Sequence, residues 1–278
     1  MVIKRDFIYT PKGKNRPLHI WLPEIYFDTE TRYPVMYFFD GHNLFFNEDA
    51  TYGKSWGLKD FMDGWEKEMI IVGIECGHEG DERLSEYLPY KVSMGFFRKF
   101  KPMGKTTMDW IVHEIKPMID REYRTLPDRA NTGIAGSSMG GLMSLYAAVR
   151  YNEYFSKAGC VSSAIGFCIR SVLKDMRLHP VNPDTKIFLS WGTKEAFGLL
   201  TRKDREDRSS RTCKWNRQVA ALRGSGADFA KQNADNSLGK ARFQNLRMGR
   251  LSRLAERKRS FLQGKSIFYR AIINPFEI

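Results

Sequence analysis

The sequence predicts an α/β fold with a mostly parallel sheet and helices on both faces. Three observations predict it. Short apolar runs alternate with longer helical patterns through residue 195, the order that parallel strands joined by crossovers require. The runs at 35–40 and 69–75 are apolar without alternation, as expected for strands buried on both faces. Hydrophobic residues make up 42% of the 278, enough for a sizeable core.

In chain order, residues 7–9 and 18–22 read as opening strands. Residues 35–40 form a strand that runs into the loop Asp40-Gly41-His42-Asn43, and 69–75 form another strand. Residues 107–123 carry helical spacing through Trp110, Ile111, Ile115, Met118 and Ile119. Thr106 with Asp109 has the pattern of a capping box, and Pro117 is expected to kink or divide the helix. A strand at 132–136, a helix at 142–151, a strand within 154–161, a helix at 169–178 and a strand at 186–191 follow. In such sheets the chemistry sits in loops beyond the C-terminal strand ends.

Charge divides the chain. Residues 201–278 carry 19 Lys and Arg against 7 Asp and Glu, whereas the other 200 residues carry 26 against 25. Gly, Ser, Asn, Gln and Arg become prominent from 223 to 244, so we expect an ordinary domain over 1–220 and an atypical basic segment over 221–278. In that segment 246–262 has helical spacing, and no strand of buried quality is expected before 266–273. No apolar run approaches the roughly 18–20 residues needed to span a bilayer. The first residues, Met1-Val2-Ile3-Lys4-Arg5-Asp6, do not read as a secretory signal. Cys76, Cys160, Cys168 and Cys213 show no metal or redox spacing, so reduced thiols in a cytoplasmic protein are expected, Cys160 and Cys168 in the core. No metal or nucleotide cofactor is implied. The stretch 247–265 could hold nucleic acid or an anionic membrane by charge, but its one aromatic, Phe261, serves stacking poorly, so no specific nucleic-acid partner is expected.

The chemistry-bearing pattern is Gly136-Ser137-Ser138-Met139-Gly140, a GxSxG motif between a strand and an apolar helix. That context is the sharp strand-to-helix turn that presents a serine nucleophile. Ser138 is thus the expected nucleophile, and the Met139 N–H at the helix start an oxyanion donor. The second donor is expected from the loop after an earlier strand, which selects the backbone N–H of His42; Gly41 would permit close backbone approach to substrate. Glu195 follows the 186–191 strand, where a triad carboxylate belongs, ahead of Asp204 and Asp207 in a charge run.

The stretches VMYFFDGHN (35–43), RLSEYLP (83–89), IDREYRTLPDRANTGIAGSSMGG (119–141) and LSWGTKEA (189–196) resemble the esterase family of α/β-hydrolases. That family includes S-formylglutathione hydrolase, feruloyl and enterochelin esterases, and mycolyltransferases. The resemblance covers residues 1 to about 220. It implies an α/β-hydrolase fold, Ser138 as nucleophile, the Met139 and His42 amides as oxyanion donors, Glu195 as acid, and a small-molecule ester as substrate. Hydrolase, acyltransferase and a non-catalytic homologue serving as a binding module all remain open at this point.

One departure stands out. The family places its catalytic histidine late, after the acid, whereas His19, His42, His78, His113 and His179 all precede Glu195. His19 and His113 read as structural, His42 as a pocket-shaping loop side chain, and His179 as a loop residue. His78, after a strand end, is an unusual candidate base. The missing histidine and the charge jump together suggest that residues from about 220 onward are not the family's native ending but the product of a reading-frame change. Weak turnover of simple esters is then expected.

Overall fold

The computed structural model describes residues 1–93, 95–190 and 242–244. One eight-stranded sheet is built from β1 (Val2–Arg5), β4 (Leu18–Trp21), β5 (Val35–Phe39), β6 (Ile70–Ile74), β7 (Thr132–Ser137), β8 (Lys157–Val161), β9 (Lys186–Ser190) and β10 (Arg242–Gln244). Its order is β1-β4-β6-β5-β7-β8-β9-β10, and the short strands β2 (Ile8–Tyr9) and β3 (Lys14–Asn15) pair separately. β4 runs antiparallel to β1 and β6, and every other pairing in the large sheet is parallel. This is an α/β-hydrolase-like fold.

The central strands are buried along their whole length, so they read as continuous apolar runs. Side chains still alternate between two cores. Val35, Tyr37 and Phe39 join the larger one, and Met36 and Phe38 the smaller. The larger core takes Met108 of α3 (Gly104–Trp110), Ile119 of α4 (Lys116–Glu122), Leu142 and Leu145 of α5 (Met139–Arg150) and Val172 of α6 (Ile169–Leu178). The smaller takes Leu58 and Met62 of α1 (Leu58–Asp63). A short helix, α2 (Glu82–Glu86), flanks the larger side.

Several details differ from the sequence expectation. The 104–122 helix is divided just ahead of Pro117, as that proline leads one to expect, but by a π-helical turn and not by a break. A π-helical turn, Ile111–Ile115, closes with Lys116 N–H donating to Ile111 O, and Pro117 then falls in the first turn of α4, where its missing N–H costs nothing. The Thr106–Asp109 capping box does not form. The helix already begins at Gly104, and Asp109 instead accepts from Lys105 Nζ at 2.6 Å and from the Tyr151 hydroxyl at 2.7 Å. β1 was unanticipated because Lys4 and Arg5 interrupt its apolar pattern. β10 lies in the basic segment and pairs with β9 from Arg242↔Lys186 to Gln244↔Phe188. Three residues reading Arg-Phe-Gln in a polar tract are too few to show a period of two. The expected helix at 246–262 and strand at 266–273 lie outside the described residues, as does Cys213. Among the described residues no helix is long and apolar enough to cross a membrane.

The topology positions the site. The strand that follows β5 in sequence lies on one side of it, and the strand that follows β7 lies on the other. In open α/β sheets ligand sites lie at such a reversal, which here is beyond the C-terminal ends of β5 and β7.

Candidate active site

β7 ends in a turn so tight that Ser138 adopts φ 57°, ψ −115° before α5 begins at Met139. A side-chain-bearing residue held there costs about 1–3 kcal/mol and persists only when its surroundings over-determine it. Three backbone bonds do so: Ser138 N–H to Val161 O (2.9 Å), Leu142 N–H to Ser138 O (3.0 Å) and Ala164 N–H to Ser138 O (2.9 Å). The glycines around it leave no room for a side chain. A Cβ on Gly136 would stand 2.7 Å from the carbonyl carbon of Gly140, and one on Gly141 would stand 2.7 Å from Val161 O. Met139, buried, starts a helix whose first N–H groups have no intrahelical partner.

The loop after β5 is held just as firmly. Asp40 takes the left-handed conformation (φ 62°, ψ 48°) and is 2% exposed. Its carboxylate is gripped bidentately by Arg83, Nε to Oδ1 at 2.6 Å and Nη2 to Oδ2 at 2.7 Å. Its N–H donates to the Tyr87 hydroxyl at 3.2 Å. A Cβ on Gly140 would stand 3.4 Å from Asp40 Oδ2, so this loop and the serine turn are neighbours. The turn Gly41–Asn43 is closed by Asn43 N–H to Asp40 O and Leu44 N–H to Gly41 O, bonds that do not use the N–H of His42. Gly41 is needed because β6 runs alongside: an added Cβ would stand 2.6 Å from Gly73 O. The RLSEYLP stretch thus acquires a physical purpose. Arg83 and Tyr87 fix Asp40, and Glu86 accepts from Arg16 Nη2 at 2.7 Å and from Gly77 N–H at 2.8 Å.

All five histidines fall among the described residues. His19, buried in β4, bonds Glu75 Oε1 at 2.6 Å, and His78 Nε2 bonds Glu75 Oε2 at 2.8 Å. Burial pushes the Glu75 carboxyl up, but the hydrogen bonds from His19 and His78 outweigh it and bring it down to about 2. The same Glu75 bond raises the His78 imidazole. His42 is buried, and its Nε2 meets Thr51 Oγ1 at 3.0 Å and Asn43 Nδ2 at 2.9 Å. Burial lowers its pKa, which favours the neutral ring. His113 bonds Asp109 O, and His179 lies 3.6 Å from Asp175. None of the five hydrogen-bonds the Ser138 hydroxyl.

Ser138, Met139 and His42 are therefore brought to one end of the sheet, on adjacent parallel strands. Glu195, Asp204 and Asp207 lie outside the described residues. β9 ends at Ser190, whose carbonyl accepts Ser162 N–H at 2.7 Å beside the serine turn. Two features escaped the sequence reading. One is the Arg83–Asp40 pair. The other is the approach of Cys76 and His78 to His42, for which a signal existed: both groups directly follow neighbouring strands.

The chain matches the family described as "Putative esterase" over residues 11–244, past the boundary near 220 drawn from the sequence. The uncharacterized protein YbbA of Bacillus subtilis is 26% identical over 187 residues, spanning 66% of this chain and 70% of that protein. Esterase Rv1288 of Mycobacterium tuberculosis is 27% identical over 148 residues, 52% of this chain but only 28% of that relative's length. Among solved structures, an IroE-like serine hydrolase from Shewanella oneidensis superimposes with a TM-score of 0.66 at 15% identity, covering 99% of this chain and 79% of the other. That likeness shows the fold, and the family match shows the lineage: the chain belongs to the esterase family of the α/β-hydrolase fold.

Proposed function

We propose that this chain is a serine carboxylic ester hydrolase. Ser138 Oγ attacks the ester carbonyl, and the backbone N–H groups of Met139 and His42 hold the oxyanion of the tetrahedral intermediate. The alcohol leaves, and water then releases the acyl group from Ser138. Glu195 is the carboxylate that would orient a base. The observation that carries the proposal is the strained backbone of Ser138, over-determined by three hydrogen bonds at the start of a helix. The small-molecule ester substrate follows from the family.

A second reading rests on the histidines. Each of the five is engaged elsewhere, so Ser138 lacks an imidazole partner, and a homologue that keeps the fold as a binding module would have this arrangement. Loss of a general base costs several orders of magnitude, yet oxyanion binding alone retains roughly 10³–10⁴-fold over water. A fluorophosphonate probe separates the two. The expected result is slow, stoichiometric labelling that maps to Ser138 and disappears in Ser138→Ala, with slow Ser138-dependent turnover of a p-nitrophenyl ester. Labelling that persists in that variant and maps to Ser137 would refute the nucleophile. No labelling and no turnover would favour the binding module.

A further inference from the structure

The loops that follow β5 and β6 bring together three side chains that the proposed ester chemistry does not use. One ligand atom from each of His42, Cys76 and His78 lies within 4.8 Å of the other two. The two imidazole rings meet edge to face with centroids 4.6 Å apart. His42 and Cys76 are buried, and His78 is exposed. We propose that this cluster is a zinc-binding site, with His42 Nδ1, Cys76 Sγ and His78 Nδ1 as the protein ligands.

The choice of atoms follows from what their neighbours already engage. His42 Nε2 is taken up by Thr51 and Asn43, while its Nδ1 is buried with no hydrogen-bond partner. A buried ring nitrogen left without a partner is costly, and a cation bound to its lone pair removes that cost. His78 donates Nε2–H to Glu75 Oε2, which leaves the lone pair of its neutral ring on Nδ1. Glu75 is itself anchored by His19. A carboxylate on the far nitrogen of a ligating histidine fixes the tautomer and raises ligand basicity, and metal sites use this arrangement widely. In the free protein Asn43 Nδ2 donates to His42 Nε2, so a metal on Nδ1 requires the ring proton to move to Nε2, where the Thr51 hydroxyl can accept it as the Asn43 amide turns away. Cys76 sits beside Asp40 in a buried setting that resists thiolate formation, burial first and the Asp40 charge second. A divalent cation reverses that balance, the thiol proton leaving to solvent as the Sγ–metal bond forms.

The donor set selects the metal. Two imidazoles and a thiolate suit zinc, whereas calcium and magnesium require oxygen ligands. Tetrahedral zinc at about 2.0–2.3 Å from its ligands places them about 3.3–3.8 Å apart. The cluster must therefore contract by up to about 1.5 Å from its present limit, a movement the exposed His78 can make. Three protein ligands leave a fourth position for water or a small anion. Because His42 belongs to the Gly41–Asn43 turn, the metal would tie that turn to the loop after β6. Arg83 and Tyr87 already hold the same turn from the other side through Asp40.

The site does not depend on Ser138, and its test does not use ester turnover. Full-length protein is stripped with a chelator, dialysed, and titrated with Zn²⁺ against a chromophoric competitor. One equivalent should bind with sub-micromolar affinity. Co²⁺-loaded protein should show a thiolate-to-metal band in the near ultraviolet together with the intense visible bands of tetrahedral cobalt. Cys76→Ser should abolish the near-ultraviolet band. His78→Ala, at an exposed position that leaves folding intact, should weaken zinc at least about tenfold, and Glu75→Gln should weaken it about 10–100-fold through the lost anchor. Zinc binding of unchanged affinity in both Cys76→Ser and His78→Ala would overturn the assignment, as would no zinc uptake by the stripped protein at 100 µM.

Discussion

Replacing Arg83 with Met tests whether the Asp40 grip holds the loop after β5. Asp40 is 2% exposed, and the side chain of Arg83 is 30% exposed. Removing one partner of a buried ion pair leaves an uncompensated charge and costs about 3–5 kcal/mol. Water can reach the Arg83 side, so the lower end, about 3 kcal/mol, is the expected loss. That is a large share of a typical domain margin of about 5–15 kcal/mol. Asp40→Asn is the informative partner mutation, because Asn tolerates the left-handed backbone that Asp40 adopts while carrying no charge. The double variant should recover part of the loss, with a coupling energy of about 1.5–3 kcal/mol. Urea unfolding of the wild type, both singles and the double gives that number from midpoints at constant slope. Fluorophosphonate labelling rates of the same four proteins report the loop: a displacement of about 1 Å should slow labelling about 100-fold in Arg83→Met. Strictly additive stability effects, within about 0.5 kcal/mol, would show that the two groups do not hold one another.

Gly136→Ala should destabilise by about 1–3 kcal/mol and slow labelling of Ser138, because its Cβ would meet backbone of Gly140 rather than a side chain that could move; a folded variant as stable as wild type would refute the packing argument. Tyr87→Phe should cost about 1–2 kcal/mol in urea unfolding, since it strips the acceptor from the buried Asp40 N–H. Lys157 is buried, and burial first of all brings its ammonium down to about 8. Between about pH 8 and its unfolded value near 10.4 the unfolded chain holds the extra proton, so stability should rise with pH by on the order of 3 kcal/mol. Urea midpoints of wild type minus Lys157→Met across pH 7–10.5 should show that rise, and a flat difference would contradict it.

The central strands and the helix of the serine turn are legible because each is an apolar run of the length its element requires. The turn itself was legible because only small residues fit where β7 meets α5, a steric demand written directly into Gly136, Gly140 and Gly141. The capping box was misread for a different reason. Asp109 finds Lys105 and Tyr151, and the tyrosine comes from 42 residues away, beyond any local pattern. The same distance hid the cluster of His42, Cys76 and His78. Spacing rules look along the chain, whereas β5 and β6 are neighbours in the sheet and deliver their loops side by side. Arg83 was visible as part of a motif, but its partner was not, because Asp40 reads equally well as a turn residue. β1 and β10 are short and rich in polar residues, so pairing rather than pattern makes them strands.

β1 stands first in the strand order, where a row of backbone N–H and C=O groups would invite another chain to add itself. Lys4 reaches Asp49, in the segment that follows β5, and Arg5 reaches Glu122 on α4. Adjacent residues of a strand point to opposite faces, so these two ion pairs fasten the strand to the layers above and below it. Each contributes little to stability at the surface. Their value is against aggregation: an incoming strand would have to approach an edge that presents two cations, both already tethered to the protein's own acids. Charge reversal at Lys4 and Arg5 should therefore change solubility on concentration more than it changes the unfolding midpoint.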